Sequence, residues 1–176
     1  VDSENIDLII MGSHGASGIN EWLIGSNTQK VVRLAHCPVL TIKKAVNPMQ
    51  FKHIAFASNF DANLLQAFEK VLNFAQMFGA NVHLLNVDIP TVFKTEAYKV
   101  SKNMEIFKKL CDKKNINYTT HIFYDNDYTD GIKHYTKNNN IDLVAMATHG
   151  RNYLSRVFMG SMSEKMVNHL NIPLLT

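Results

Sequence analysis

Cysteine, long apolar runs and charge of one sign are all scarce in this chain, and each scarcity closes off a class of protein. Of 176 residues only two are cysteine, Cys37 and Cys111, far apart and outside any C-x-x-C spacing. They argue against a disulfide framework and fit a reducing compartment with buried free thiols. No apolar run approaches the ~18 residues that span a bilayer, and the chain does not open on a secretory pattern. The 18 Lys and Arg nearly balance the 15 Asp and Glu, leaving a net charge of +3. No basic cluster is interleaved with aromatics, as a nucleic-acid surface would require. What remains is 46% hydrophobic and 19% charged, the composition of one well-cored domain or of one plus part of another. The cytoplasm is the expected setting.

What the chain does have is a repetition. NIDLIIMGSHG (5–15) lies over NIDLVAMATHG (140–150), and one constant offset carries Gly15 onto Gly150. The same offset carries Gly25-Ser26 onto Gly160-Ser161, Lys30 onto Lys165, Val32 onto Val167 and PVLT (38–41) onto PLLT (173–176), with no gap. Loop, helix and strand all in phase mean a duplicated domain.

The second copy reads in full. HIAFAS (53–58) has the β-branched and aromatic make-up of a buried strand. Residues 63–78 place Leu64, Leu65, Phe68, Val71, Leu72 and Ala75 at helical spacing, with Asn63 as N-cap and Gly79 just past the end. NVHLLNV (81–87) is a strand, and 95–114 is an amphipathic helix turning Met104, Phe107 and Leu110 inward. YTTHIFY (118–124) is a strand, 128–139 a helix weakened by Gly131, 142–147 a strand, 161–170 a helix and 172–176 the closing strand. Strands alternating with helices predict an α/β fold, an open parallel sheet covered on both faces. The first copy matches only the last strand, loop, helix and strand of this unit, so the counterparts of 51–135 would lie upstream of Val1. We therefore expect the C-terminal portion of a first repeat at 1–46, the linker KKAVNPMQ at 43–50 and a second repeat at 51–176.

Ligands of open parallel sheets sit beyond the carboxyl ends of the strands, where both repeated loops fall. Gly12 and Gly15 allow close backbone approach and positive φ. Gly25-Ser26 then opens a helix, whose free N–H groups and dipole suit phosphate oxygens, with the Ser hydroxyl as a further donor. The layout is a phosphate cradle built from two turns. It is neither G-x-G-x-x-G nor a Walker loop, because no Gly-Lys-Ser/Thr follows.

This G-x2-G-x9-G-S pattern after DLIIMGSHG and DLVAMATHG resembles the nucleotide-binding motif of the universal stress protein family. The resemblance covers the whole second copy and the visible part of the first. It implies a Rossmann-like sheet of five strands in the order 3-2-1-4-5, ATP held by the loop glycines, with Mg²⁺ accompanying it, and dimers through antiparallel last strands. By position Gly12, Gly15, Gly25 and Ser26 match in the first copy, and Gly150, Gly160 and Ser161 in the second. Ala147 stands where the first motif glycine belongs, and Asn59 where nucleotide-binding members usually carry Asp, with Asp61 two residues on.

Other polar residues have plainer readings. His14 and His149 shape the loop turns, while Trp22 and Phe158 anchor the loops against their domains. Arg151 and Arg156 stand either as solvated loop charges or as phosphate partners. His53, His83, His121 and His134 show no metal-ligand spacing. Asp125, Asp127 and Asp130 lack the EF-hand pattern, and Asp127 reads as an N-cap. No general base with a partner and no Mg²⁺-binding Asp pair accompanies the loop, so a dedicated enzyme is not expected beyond slow ATP hydrolysis.

The leading reading is a stress-response module that binds ATP or another adenine nucleotide. The alternative is a dimerising scaffold that binds no nucleotide, with a degenerate site in the second repeat. A nucleotide-dependent ligase or pyrophosphatase lacks room for its substrate-binding segments. The apolar edge strands 38–42 and 173–176 are expected to pair within the chain or in a homodimer.

Overall fold

The computed structural model describes residues 6–13, 26–43, 51–88, 96–147 and 165–176. Seven strands form one sheet: β1 (Ile9–Gly12), β2 (Val39–Ile42), β3 (His53–Ala57), β4 (Asn81–Asp88), β5 (Tyr118–Tyr124), β6 (Leu143–Ala145) and β7 (Leu174–Leu175). Between them lie α1 (Ser26–Leu34), α2 (Leu65–Phe78), α3 (Glu96–Lys113), α4 (Tyr128–Asn138) and a helical segment at 165–169. The sheet runs β1-β2-β7-β6-β3-β4-β5, and every neighbouring pair is parallel except β2 with β7. The fold is thus the expected α/β one. One sheet takes in all seven strands, β1 and β2 being added where β2 covers the apolar edge of β7.

That antiparallel seam is self-complementary. Leu40 faces Leu175 and Thr41 faces Leu174. Val39 and Thr176 exchange backbone bonds of 2.8 and 2.9 Å. The Thr41 hydroxyl donates to the Leu174 carbonyl, and the Thr176 hydroxyl to that of Val39. Exchanging Val39, Leu40 and Thr41 for Leu174, Leu175 and Thr176 maps this set of bonds onto itself, the signature of a two-fold interface.

Side chains alternate between the two faces of the sheet. Ile54, Phe56, Val82 and Leu84 face α2 and α3 and join Phe60, Phe68, Phe107 and Cys111 in one core. Ala55, Ala57, Leu85 and Val87 face α4 and the segment 165–169 and join Ile132, Tyr135, Met166 and Leu170 in the other. Phe56, Phe60, Phe68 and Phe107 touch ring to ring, at centroid distances from 4.8 to 6.1 Å, within the range where aromatic pairs attract beyond their burial.

The helix ends follow local chemistry with one exception. Gly79 takes φ +58° and caps α2 in the left-handed conformation. Asp127 caps α4 by accepting from the Thr129 and Asp130 N–H groups. Asn63 is not an N-cap, because a 3₁₀ turn over Ala62–Leu64 precedes α2 and moves the start of the helix to Leu65. Gly131 is required by packing: a Cβ there would lie 2.6 Å from a Val87 methyl, so its absence lets α4 settle on β4. Neither thiol is paired; Cys111 is buried, whereas Cys37 is only half-buried, contrary to expectation.

Candidate functional site

β1 and β2 run opposite to the other five strands, so the carboxyl ends of β1 and β6 lie at opposite ends of the sheet. Each of the two glycine loops therefore leaves a different end. Gly15, Gly25, Gly150, Gly160 and Ser161 lie outside the described residues, as do His14, His149, Trp22, Arg151, Arg156 and Phe158. Gly12, Ser26, Asn59 and Ala147 are described: Gly12, Ser26 and Ala147 flank the loops, and Asn59 lies in the turn after β3.

At the first end, Gly12 closes β1 opposite Ile42. It is an extended strand residue; among the described glycines only Gly79 has a positive φ. Gly12 therefore does not serve as a left-handed turn. Thr28, in the first turn of α1, is buried and donates its hydroxyl to the Gly12 carbonyl at 3.1 Å. The Ser13 N–H donates to the Ile42 carbonyl at 3.0 Å. These bonds hold the end of the strand against the start of the helix, which Ser26 opens. The start of a helix is thereby fixed beside the strand terminus, and the N–H groups of a helix start are the kind that receive anions. Thr28 was not singled out from the sequence. Its signal was available: a hydroxyl residue follows each Gly-Ser by two positions, Thr28 and Ser163.

At the other end, β6 and β3 run side by side with Ala145 opposite Phe56, so Ala147 and the turn after β3 share one rim of the sheet. The Met146 N–H donates to Leu175 at 2.9 Å, and Ala147 packs partly buried on the core. After β3 the chain makes a tight polar turn. The Ser58 N–H donates to the Leu85 carbonyl, and the buried Asn86 side chain donates to the Ser58 carbonyl at 2.9 Å. The Ser58 hydroxyl accepts the Phe60 N–H at 2.9 Å, and Phe60 adopts φ +57° with its ring fully buried.

This left-handed residue turns Asn59 out to solvent, where Asp61 engages both ends of its amide. The Asn59 Nδ2 donates to Asp61 Oδ2 at 2.8 Å, and the Asp61 N–H donates to Asn59 Oδ1 at 3.3 Å. Asn59 and Ala147 are thus brought to one rim. Ser58, Phe60 and Asn86, which shape that rim, carried no motif in the sequence.

The family model for the universal stress protein family matches residues 1–43 and 50–176. A Na(+)/H(+) antiporter, NhaS5, of Synechocystis sp. is 27% identical over 169 residues, covering 95% of this chain and 24% of the antiporter. Universal stress protein Slr1230 of the same organism is 26% identical over 178 residues, covering 98% of this chain and 58% of that protein. The chain thus spans a quarter to rather more than half of these relatives. A universal stress protein from Archaeoglobus fulgidus superposes with a TM-score of 0.71 at 23% identity, covering 99% of this chain and 61% of that one. A universal stress protein in complex with cAMP superposes with a TM-score of 0.53 at 13% identity, covering 71% of this chain and 95% of that one. These superpositions show a shared fold. With nearly its whole length matched by the family model, this chain belongs to the universal stress protein family.

Proposed function

We propose that this chain is the nucleotide-binding part of a tandem universal stress protein, a cytoplasmic stress-response module that holds ATP or another adenine nucleotide. In this reading residues 1–46 are the end of a first repeat and 51–176 a complete second repeat. The strands β7-β6-β3-β4-β5 are that repeat's 3-2-1-4-5 sheet, and the β2–β7 seam stands in for the antiparallel contact of a homodimer. Gly12, Gly15, Gly25 and Ser26 line the first cradle. Asn59, Ala147, Gly150, Gly160 and Ser161 line the second. The nucleotide's phosphates meet N–H groups at the helix start, and Mg²⁺ enters only as the counter-ion of a triphosphate.

The observation that carries this reading is the Thr28–Gly12 bond, which ties the strand end to the helix start on either side of the glycine loop. A relative in complex with cAMP adds support for an adenine ligand. The test is to denature freshly purified protein and identify released nucleotide by chromatography. Near-stoichiometric adenine nucleotide is expected; none released, together with no uptake of added ATP, would overturn the reading.

One observation favours the scaffold alternative for the second repeat. The Asn59 amide is engaged at both ends by Asp61, so a base would have to displace an existing hydrogen-bonded pair. Under that alternative the chain is a dimerising scaffold that binds no nucleotide.

A further inference from the structure

Away from the two glycine loops, three adjacent strands place histidines on the face covered by α4. His53 of β3 and His83 of β4 alternate with Ile54, Val82 and Leu84 of the opposite core, and His121 of β5 lies opposite Leu85. His83 is buried, and both its ring nitrogens are engaged: Nε2 lies 3.0 Å from His53 Nδ1, and Nδ1 lies 2.9 Å from the Tyr135 hydroxyl of α4. His121 stacks on His83 and leans on the Tyr135 ring, and its Nε2 lies 3.1 Å from the Thr119 hydroxyl. The sheet is therefore joined to α4 through one chain of side chains, His53–His83–Tyr135.

The proton count of that chain is limited. A neutral imidazole has one N–H and one lone pair, so both contacts of His83 are satisfied when the bonds run in one direction along the chain. One added proton is accommodated, because whichever ring carries it donates to the lone pair of the other and the Tyr135 oxygen can accept from His83. A second proton charges both rings and sets two N–H donors against each other across the 3.0 Å contact, two cations side by side, which neither geometry nor Coulomb's law favours.

We propose that His53, His83 and Tyr135 form an acid-operated latch that clips α4 to the sheet and opens when the chain takes up its second proton. The groups facing His83 are consistent with this. From β3 comes His53, from β5 His121 and Thr119, and from α4 Tyr135. The charges that act on it, those of His53 and His121, both resist protonation, as does burial. Asp142, just before β6, accepts the backbone N–H groups of Lys52 and His53. Its carboxylate is thus held by backbone N–H groups. Opening the latch frees the stretch of α4 around Gly131, which rests on Val87.

Hydrogen–deuterium exchange of the whole chain between pH 7.5 and 4.5, corrected for the intrinsic pH dependence of exchange, tests the latch. Peptides from 128–138 are expected to gain on the order of tenfold in corrected exchange at the acid end while β3 and β4 stay protected. In His83→Gln, whose amide keeps a polar contact but does not titrate, that gain is expected to disappear. Equal loosening of helix and strands, or an undiminished gain in the variant, would overturn the proposal. Should the variant not fold, ring-proton titration of the wild-type histidines decides. Coupled titration of His53 and His83 supports the latch, and independent titration of the two rings contradicts it.

Discussion

Phe60 holds a backbone conformation that bulky side chains avoid, at φ +57°, because its ring belongs to the cluster with Phe56 and Phe107 while its N–H is held by Ser58. Strain of this kind costs about 1–3 kcal/mol and persists where the surroundings over-determine it. Phe60→Ala keeps the strain and loses the ring, so a loss of about 3–5 kcal/mol is expected in urea denaturation. His83 makes a second residue-scale case. Burial first, then His53 and His121, lower its pKa from 6.5 to about 4. The folded protein therefore binds fewer protons than the unfolded chain between those values, and stability falls as pH drops from 6.5 through 4. The loss is about 3 kcal/mol when complete. It should show as a lower urea midpoint at pH 4.5 than at pH 7, and the difference should shrink in His83→Gln. The capping by Gly79 and Asp127 was legible because caps depend on neighbours in sequence. Asn63 misled because the chain inserts a 3₁₀ turn that only packing of Leu64 explains. The histidine chain was illegible because its members come from different strands and meet only through the register of the sheet.

At the scale of elements, the repeat made β1, α1 and β2 readable as the counterparts of β6, the segment 165–169 and β7. Alternation and helical spacing located the rest to within a few residues. As regular strands β6 and β7 span Leu143–Ala145 and Leu174–Leu175, shorter than the apolar runs 142–147 and 172–176 suggested, although Met146 and Thr176 still bond to neighbouring strands. Gly131 reads as a weakness in an isolated helix and as a requirement once α4 meets Val87. For the candidate site the sequence offered glycines, of which Gly12 alone lies among the described residues, and it hid the supports, because Thr28 and Asn86 act through carbonyls that no motif records. Thr28→Val keeps the volume of the side chain and removes its bond to Gly12. It is expected to cost about 1–2 kcal/mol of stability, and under the proposed reading also to weaken nucleotide binding, as calorimetry would show. Unchanged affinity would detach α1's tether from the site.

At the scale of the molecule, one seam joins the two parts of the chain. Its exchangeable bonds mean that β7 presents to β2 what a second β7 would present. With β2 in place this edge is occupied. A fragment beginning at Asn47, and so lacking β2, is expected to pair through β7 and run as a dimer in gel filtration with light scattering. A monomeric, folded fragment would show that the seam needs more of residues 1–43 than the strand itself.

The central claim, nucleotide held at a glycine loop, is tested most directly by titration calorimetry with ATP on the stripped whole chain, alongside Gly12→Val and Gly160→Val. The account predicts micromolar binding that Gly12→Val reduces by removing the first site. A further loss in Gly160→Val would assign a second site to the copy that carries Asn59 and Ala147. No heat from a folded wild-type chain, or binding that survives both substitutions, would contradict it.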